Sequence, residues 1–183
     1  MKVENKKGEI IVSRYKYDIF RYQEFASCNF LGGDTNSFKV TVSNSTQYNL
    51  EYEEYDFDDN LLEYKLYTIS KNAIEAIKNI IFQNENIFEV NSRLNNGSVD
   101  GAGHEFWFAT EKRNREIIAW NIDDSIDNGQ DIRKEYLDEY GDNLKQERLV
   151  LKIFFEISNV LEKEGIILDL YKFQGNPKIE YKG

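Results

Sequence analysis

The chain has 183 residues, 40% of them apolar and 14% aromatic, which is enough for one substantial hydrophobic core and short for two. Its 33 acidic and 23 basic side chains leave a formal net charge of −10. That field repels phosphate backbones and anionic membrane surfaces, so the expected partner is a basic protein, with no direct nucleic acid and no membrane. The single cysteine, Cys28, excludes an intramolecular disulfide, and no apolar run approaches the roughly 18 residues of a membrane span. The N-terminal stretch lacks an apolar h-region, so the expected location is cytoplasmic.

From Gly8 to Ile69 the pattern is of strands: GEIIVSRYKYDIFRY, NSFKVTV, TQYNLEYEEY and LLEYKLYTI, each rich in β-branched and aromatic residues. Alternation is clearest at Phe38, Val40, Val42 and at Tyr48, Leu50, Tyr52, which predicts one buried and one wet face. The separators LGGDTN, SNS and DFDDN are too short for parallel crossovers and imply an antiparallel meander.

Ser70 is placed to cap a helix, with Ile69 and Ile74 as a hydrophobic staple and Ile77 and Ile81 continuing its apolar face. A short strand is expected at NIFEV, 86–90. HEFWFATEKRNREIIAWNI then reads as a β-hairpin in which Phe106 and Phe108 face Ile118 and Trp120. Residues 123–143 are polar and acidic and read as a variable loop, with a short helix around RKEYLDEY.

Val150, Ile153, Phe154, Ile157, Val160 and Leu161 make the strongest helical signal, over 144–164, and Gly165 suits its stop. IILDLYKF reads as a final strand returning to the sheet. The expected architecture is an α+β single domain over 1–183: an antiparallel meander sheet with two main helices packed on one face. Residues 1–7 and 175–183 are the expected flexible ends.

NNGSVDGAGHEFWF carries the only histidine, His104, between Asp100 and Glu105. A catalytic histidine needs a group that fixes its tautomer and another with which it exchanges a proton. In a strand, Glu105 points away from its neighbour His104, and the Asn-Gly and Asp-Gly steps are explained by a turn. One histidine and one cysteine are too few for a zinc site. DDSIDNGQD departs from a calcium loop, with Asn128 at the sixth position and Lys134 at the twelfth. No cofactor or metal is therefore expected. An enzyme using Cys28 and His104 is one alternative, and a small-ligand binder with a tyrosine-lined cavity is another.

Two segments have the make-up of a recognition surface. EYEEYDFDDN interleaves aromatics with carboxylates, and residues 123–142 carry eight acidic residues against Arg133 and Lys134. The expected partner-binding residues are Tyr52, Glu53, Glu54, Tyr55, Asp56, Asp58 and Asp59, with Asp123, Asp124 and Asp127 as a second patch. LNNGSVDGAGHEFWF, AWNI and LVLKIFFEISNVLEKEGI resemble small uncharacterised acidic bacterial α+β proteins, some of which look like toxin-immunity proteins. The resemblance implies an inhibitor that occupies a basic surface, and it brings no catalytic residues. Together these readings give an acidic protein-binding module, with an immunity or inhibitor protein as the expected kind.

Overall fold

A computed structural model describes residues 3–4, 10–11, 17–25, 36–95, 103–120, 122 and 134–182. Two short strands, β1 (Val3–Glu4) and β2 (Ile10–Ile11), pair with each other as a separate antiparallel ribbon. The stretch expected as one strand from Gly8 is thus divided, and β3 begins only at Asp18 (Asp18–Phe25). It is followed by β4 (Ser37–Ser43), β5 (Leu50–Tyr55) and β6 (Leu61–Tyr67), paired in succession and antiparallel. The expected meander is present, each strand pairing antiparallel with the next, as connections too short for a crossover require.

Asp56 holds the β5–β6 turn, its Oδ1 accepting from the backbone N–H of Asp58 (2.9 Å) and of Asn60 (2.8 Å). Asp59 completes the reversal at φ 60°, in the left-handed region that aspartate tolerates better than most residues.

Helix α1 (Lys71–Gln83) starts where the sequence predicts. Ser70 Oγ accepts from the Ala73 N–H at 3.1 Å, and Ile69 and Ile74 are both buried around that cap. Where a strand is expected at 86–90, residues Glu85–Glu89 instead form a 3-10 turn that buries Ile87 and Phe88. A two-residue apolar step fits either geometry, so periodicity over so short a run does not decide between them.

Three further strands follow: β7 (Arg93–Asn95), β8 (Gly103–Ala109) and β9 (Asn114–Trp120). β8 and β9 form the expected hairpin, in a register that differs from the expected one by a single residue. Phe106 lies opposite Ile117 and His104 opposite Ala119, and these four side chains are fully buried. Ile118 and Trp120 point to the other face, and Trp120 is 45% exposed. A one-residue slip exchanges faces because strand side chains alternate with period two, and REIIAW offers apolar residues at both parities.

Helix α2 runs from Lys134 to Glu162, so the short helix expected around RKEYLDEY and the helix expected over 144–164 are one continuous element; residues 123–133 lie outside the described residues. Gly165, at φ 78°, stops it, with its N–H donating to Glu162 O at 2.9 Å. IILDLYKF does not return to the main sheet: it folds on itself as β10 (Ile167–Asp169) and β11 (Lys172–Gln174). The C-terminal stretch expected to be flexible contains β12 (Ile179–Lys182), which pairs with Leu66 to Glu63 of β6.

The main sheet has eight strands in the order β12-β6-β5-β4-β3-β8-β9-β7, antiparallel except for β7 beside β9. The fold is therefore α+β. One face of this sheet carries Phe20, Tyr22, Phe38, Val40, Val42, Leu50, Phe106 and Phe108, all in the core. Phe154 of α2 packs its ring onto that face, with centroids 4.8 Å from Tyr22, 5.6 Å from Phe106 and 6.3 Å from Phe20. Ile77 and Ile81 of α1 belong to the same continuous core, and α1 contacts α2.

Candidate functional site

Strand pairing assembles two different surfaces from residues that are far apart in sequence. On the core face, one register row runs Ala119, His104, Glu24, Phe38, Glu54, Glu63, Lys182. His104 is fully buried in it. Its Nδ1 lies 2.7 Å from the Tyr22 hydroxyl, and that hydroxyl donates to the carbonyl of Leu170 in the β10–β11 turn. With the tyrosine proton committed to Leu170, Nδ1 carries the imidazole proton and donates it to Tyr22 Oη, which leaves Nε2 as a buried acceptor without a partner among the described residues.

Burial lowers the His104 pKa to about 4, so the ring is neutral near pH 7. Tyr171 packs edge-on against it at 5.3 Å. Glu24, its cross-strand neighbour, is half-buried and pushed up to about 7 by desolvation. A neutral imidazole bonded to a tyrosine that is itself tied to backbone positions the β10–β11 hairpin on the sheet.

The opposite face is divided in two. On β3, β8 and β9, Arg21 reaches Glu105 at 3.1 Å and Glu116 at 3.4 Å and lies over the Trp107 ring at 5.0 Å. Burial pushes the Glu105 carboxyl up, against the pull of Arg21. Glu105 therefore faces away from His104, as strand alternation predicts.

On β5, β6 and β12 the same face turns apolar. Leu62, Tyr64 and Leu66 of β6 share it with Ile179 and Tyr181 of β12, which lie opposite Leu66 and Tyr64. Leu62, Ile179 and Tyr181 are exposed large side chains, at 37%, 45% and 59%. Glu51 and Glu53 of β5 border this strip, opposite Leu66 and Tyr64, and the β5–β6 turn beyond them exposes Phe57, Asp58 and Asp59.

The expected partner-binding segment is divided by the pleat. Tyr52 is a core residue stacked on Phe173 at 4.6 Å, and its hydroxyl donates to Glu54 on the same face at 3.0 Å. Glu54 also accepts from Asn36 at 2.7 Å. Glu53 and Tyr55 occupy the opposite face, where Glu53 pairs with Lys39 at 2.5 Å. Burial, with the neighbouring Glu53 carboxylate, pushes the Tyr55 hydroxyl up to about 12. Asn60, with backbone N–H groups of the turn, lowers the Asp56 pKa, so that carboxylate serves the turn itself.

Asp123, Asp124, Asp127 and Cys28, and residues 96–102, where a turn is expected before His104, lie outside the described residues. Leu62, Tyr64, Leu66, Ile179 and Tyr181 were missed by sequence reasoning. Their signal was the alternation in LLEYKLY and IEY, which marks a strand without saying which face is covered.

These elements define an α+β protein built on a mostly antiparallel sheet. No protein-family model matches the chain, and neither does any curated protein. Among the described residues, no helix is long and apolar enough to cross a membrane.

Proposed function

We propose that this chain is an acidic protein-binding module of the cytoplasm that occupies a basic surface on another protein, in the manner of an immunity or inhibitor protein. The observation that supports this reading is the strip of Leu62, Tyr64, Leu66, Ile179 and Tyr181, bordered by Glu51 and Glu53 and continued by Phe57, Asp58 and Asp59 at the turn. Apolar and aromatic anchors with a charged rim are the composition of an energetic protein contact. The net charge of −10 would speed the approach of a basic partner, and the anchors would slow its release. A nucleic-acid-binding face of a toxin has the required sign and is the partner of choice.

Of the segment expected from sequence, Glu53, Tyr55, Asp58 and Asp59 remain in this reading; Tyr52, Glu54 and Asp56 act within the fold. The test is co-purification of tagged chain from its native host, wild type beside a triple variant carrying Glu53→Lys, Asp58→Lys and Asp59→Lys. The expected result is a basic protein retained by the wild type and lost by the variant. Identical capture by both, with the variant folded, would remove the assignment.

A further inference from the structure

Strand β12 ends the main sheet on one side, paired among the described strands only with β6, and all four of its residues are exposed. Its other edge therefore carries backbone N–H and C=O groups with no strand partner among the described residues. Its sequence sets Glu180 and Lys182 on either side of Tyr181.

We propose that this edge pairs with the β12 edge of a second copy of the chain, antiparallel about Tyr181, joining two sheets into one. In that register Tyr181 meets its own counterpart, Glu180 meets Lys182 of the second copy, and Lys182 meets Glu180 of the second copy. The pairs already formed within each chain extend the pattern. Lys182 stands 3.8 Å from Glu63, and Glu180 stands 3.9 Å from Lys65.

Across the joint, one row reads Glu63, Lys182, then Glu180 and Lys65 of the second copy, alternating in sign at every step. On the other face, Tyr64 and Tyr181 meet Tyr181 and Tyr64 of the second copy, a run of aromatic neighbours of the kind that stabilises antiparallel pairs. A parallel in-register pairing would instead set Glu180 on Glu180 and Lys182 on Lys182. A lysine on an edge strand guards it against arbitrary strands, and here one arrangement neutralises the guard: that of an identical edge run in reverse.

The exposed ion pairs set register, while edge hydrogen bonds and the Tyr181 contact hold the copies together. Each copy's net charge opposes the approach, but at physiological salt the Debye length of about 8 Å screens that repulsion beyond the joint itself. The contact is isologous and closes on itself, so it ends at a dimer. Edge pairing leaves open the face of the sheet opposite the helices and does not rest on the proposed partner binding.

The test is sedimentation equilibrium of the full chain from micromolar to millimolar concentration. The wild type should approach twice its 21.6 kDa mass. Glu180→Lys and Lys182→Glu should each remain monomeric, since each sets like charges across the joint. An equimolar mixture of the two should regain the dimer mass, because opposite charges then meet at both positions. Circular dichroism melts verify that each variant is folded. A wild type that stays monomeric throughout, single variants that still dimerise, or a folded mixture that fails to regain mass would each overturn the proposal. The first of these would leave the edge to a strand from another protein.

Discussion

The hydroxyl of Tyr22 and Nδ1 of His104 lie 2.7 Å apart across β3 and β8, both side chains fully buried, and the same hydroxyl reaches Leu170 O in the β10–β11 turn. Two strands and a distant hairpin thus meet at a single oxygen. Phe154 packs against the Tyr22 ring from α2, so this bond sits where the layers of the fold converge.

Tyr22→Phe keeps the ring and removes that oxygen. It leaves the His104 N–H and the Leu170 carbonyl unpaired in the interior, which should cost about 1–3 kcal/mol. Urea denaturation measures the loss, and hydrogen exchange should show faster opening of residues 167–174 than of β4. An unchanged midpoint would mean that water or another group serves those atoms.

The chain has one histidine, so its imidazole titration is unambiguous by NMR. With a folded pKa of about 4 against an ordinary 6.5, His104 should stay neutral down to roughly pH 5. The linked effect has a definite sign. Below 6.5 the unfolded chain takes up a proton that the folded chain refuses, so this group's contribution to stability is intact above 6.5 and declines as pH falls towards 4. A resonance titrating near 6.5 would contradict the buried geometry.

Glu147 on α2 is 2% exposed and neither carboxylate oxygen has a hydrogen-bond partner among the described residues. Desolvation raises its pKa from 4.5 to about 7. The folded state therefore holds a proton that the unfolded state releases, and stability from this group is lost as pH rises through 7. Glu147→Met, which keeps the length and drops the polar atoms, should stabilise the protein, by more at pH 8 than at pH 5. Denaturation midpoints at the two pH values check this, and equal shifts would argue against a buried acid.

The β8–β9 register predicts unequal effects at adjacent residues. Ile117→Ala removes a fully buried side chain opposite Phe106 and should cost about 2–5 kcal/mol. Ile118→Ala, on the other face, should cost well under half as much. Equal losses would restore the register expected from sequence, in which Ile118 and Trp120 line the core.

Much of the sheet was legible because alternation in FKVTV and in TQYNLEYEEY gives both the strand and its buried parity. It failed at REIIAW, where apolar residues occupy both parities, and at NIFEV, too short to separate strand from 3-10 turn. The pleat divides the recognition segment for a related reason. EYEEYDFDDN looks continuous in sequence, yet a strand sends Tyr52 and Glu54 one way and Glu53 and Tyr55 the other.

The local pattern of side chains determined by itself that this chain builds an antiparallel meander, a Ser70-capped helix and a long amphipathic C-terminal helix. Turn chemistry, capping and periodicity act within a few residues and leave their marks there. Tertiary structure alone decided that β8 adds beside β3, that β12 covers the β6 edge, and that His104 lies beneath Tyr171 with its proton committed to Tyr22. These are long-range pairings, selected by the fit of whole surfaces and the exclusion of water, and no local spacing encodes which distant strand supplies the partner.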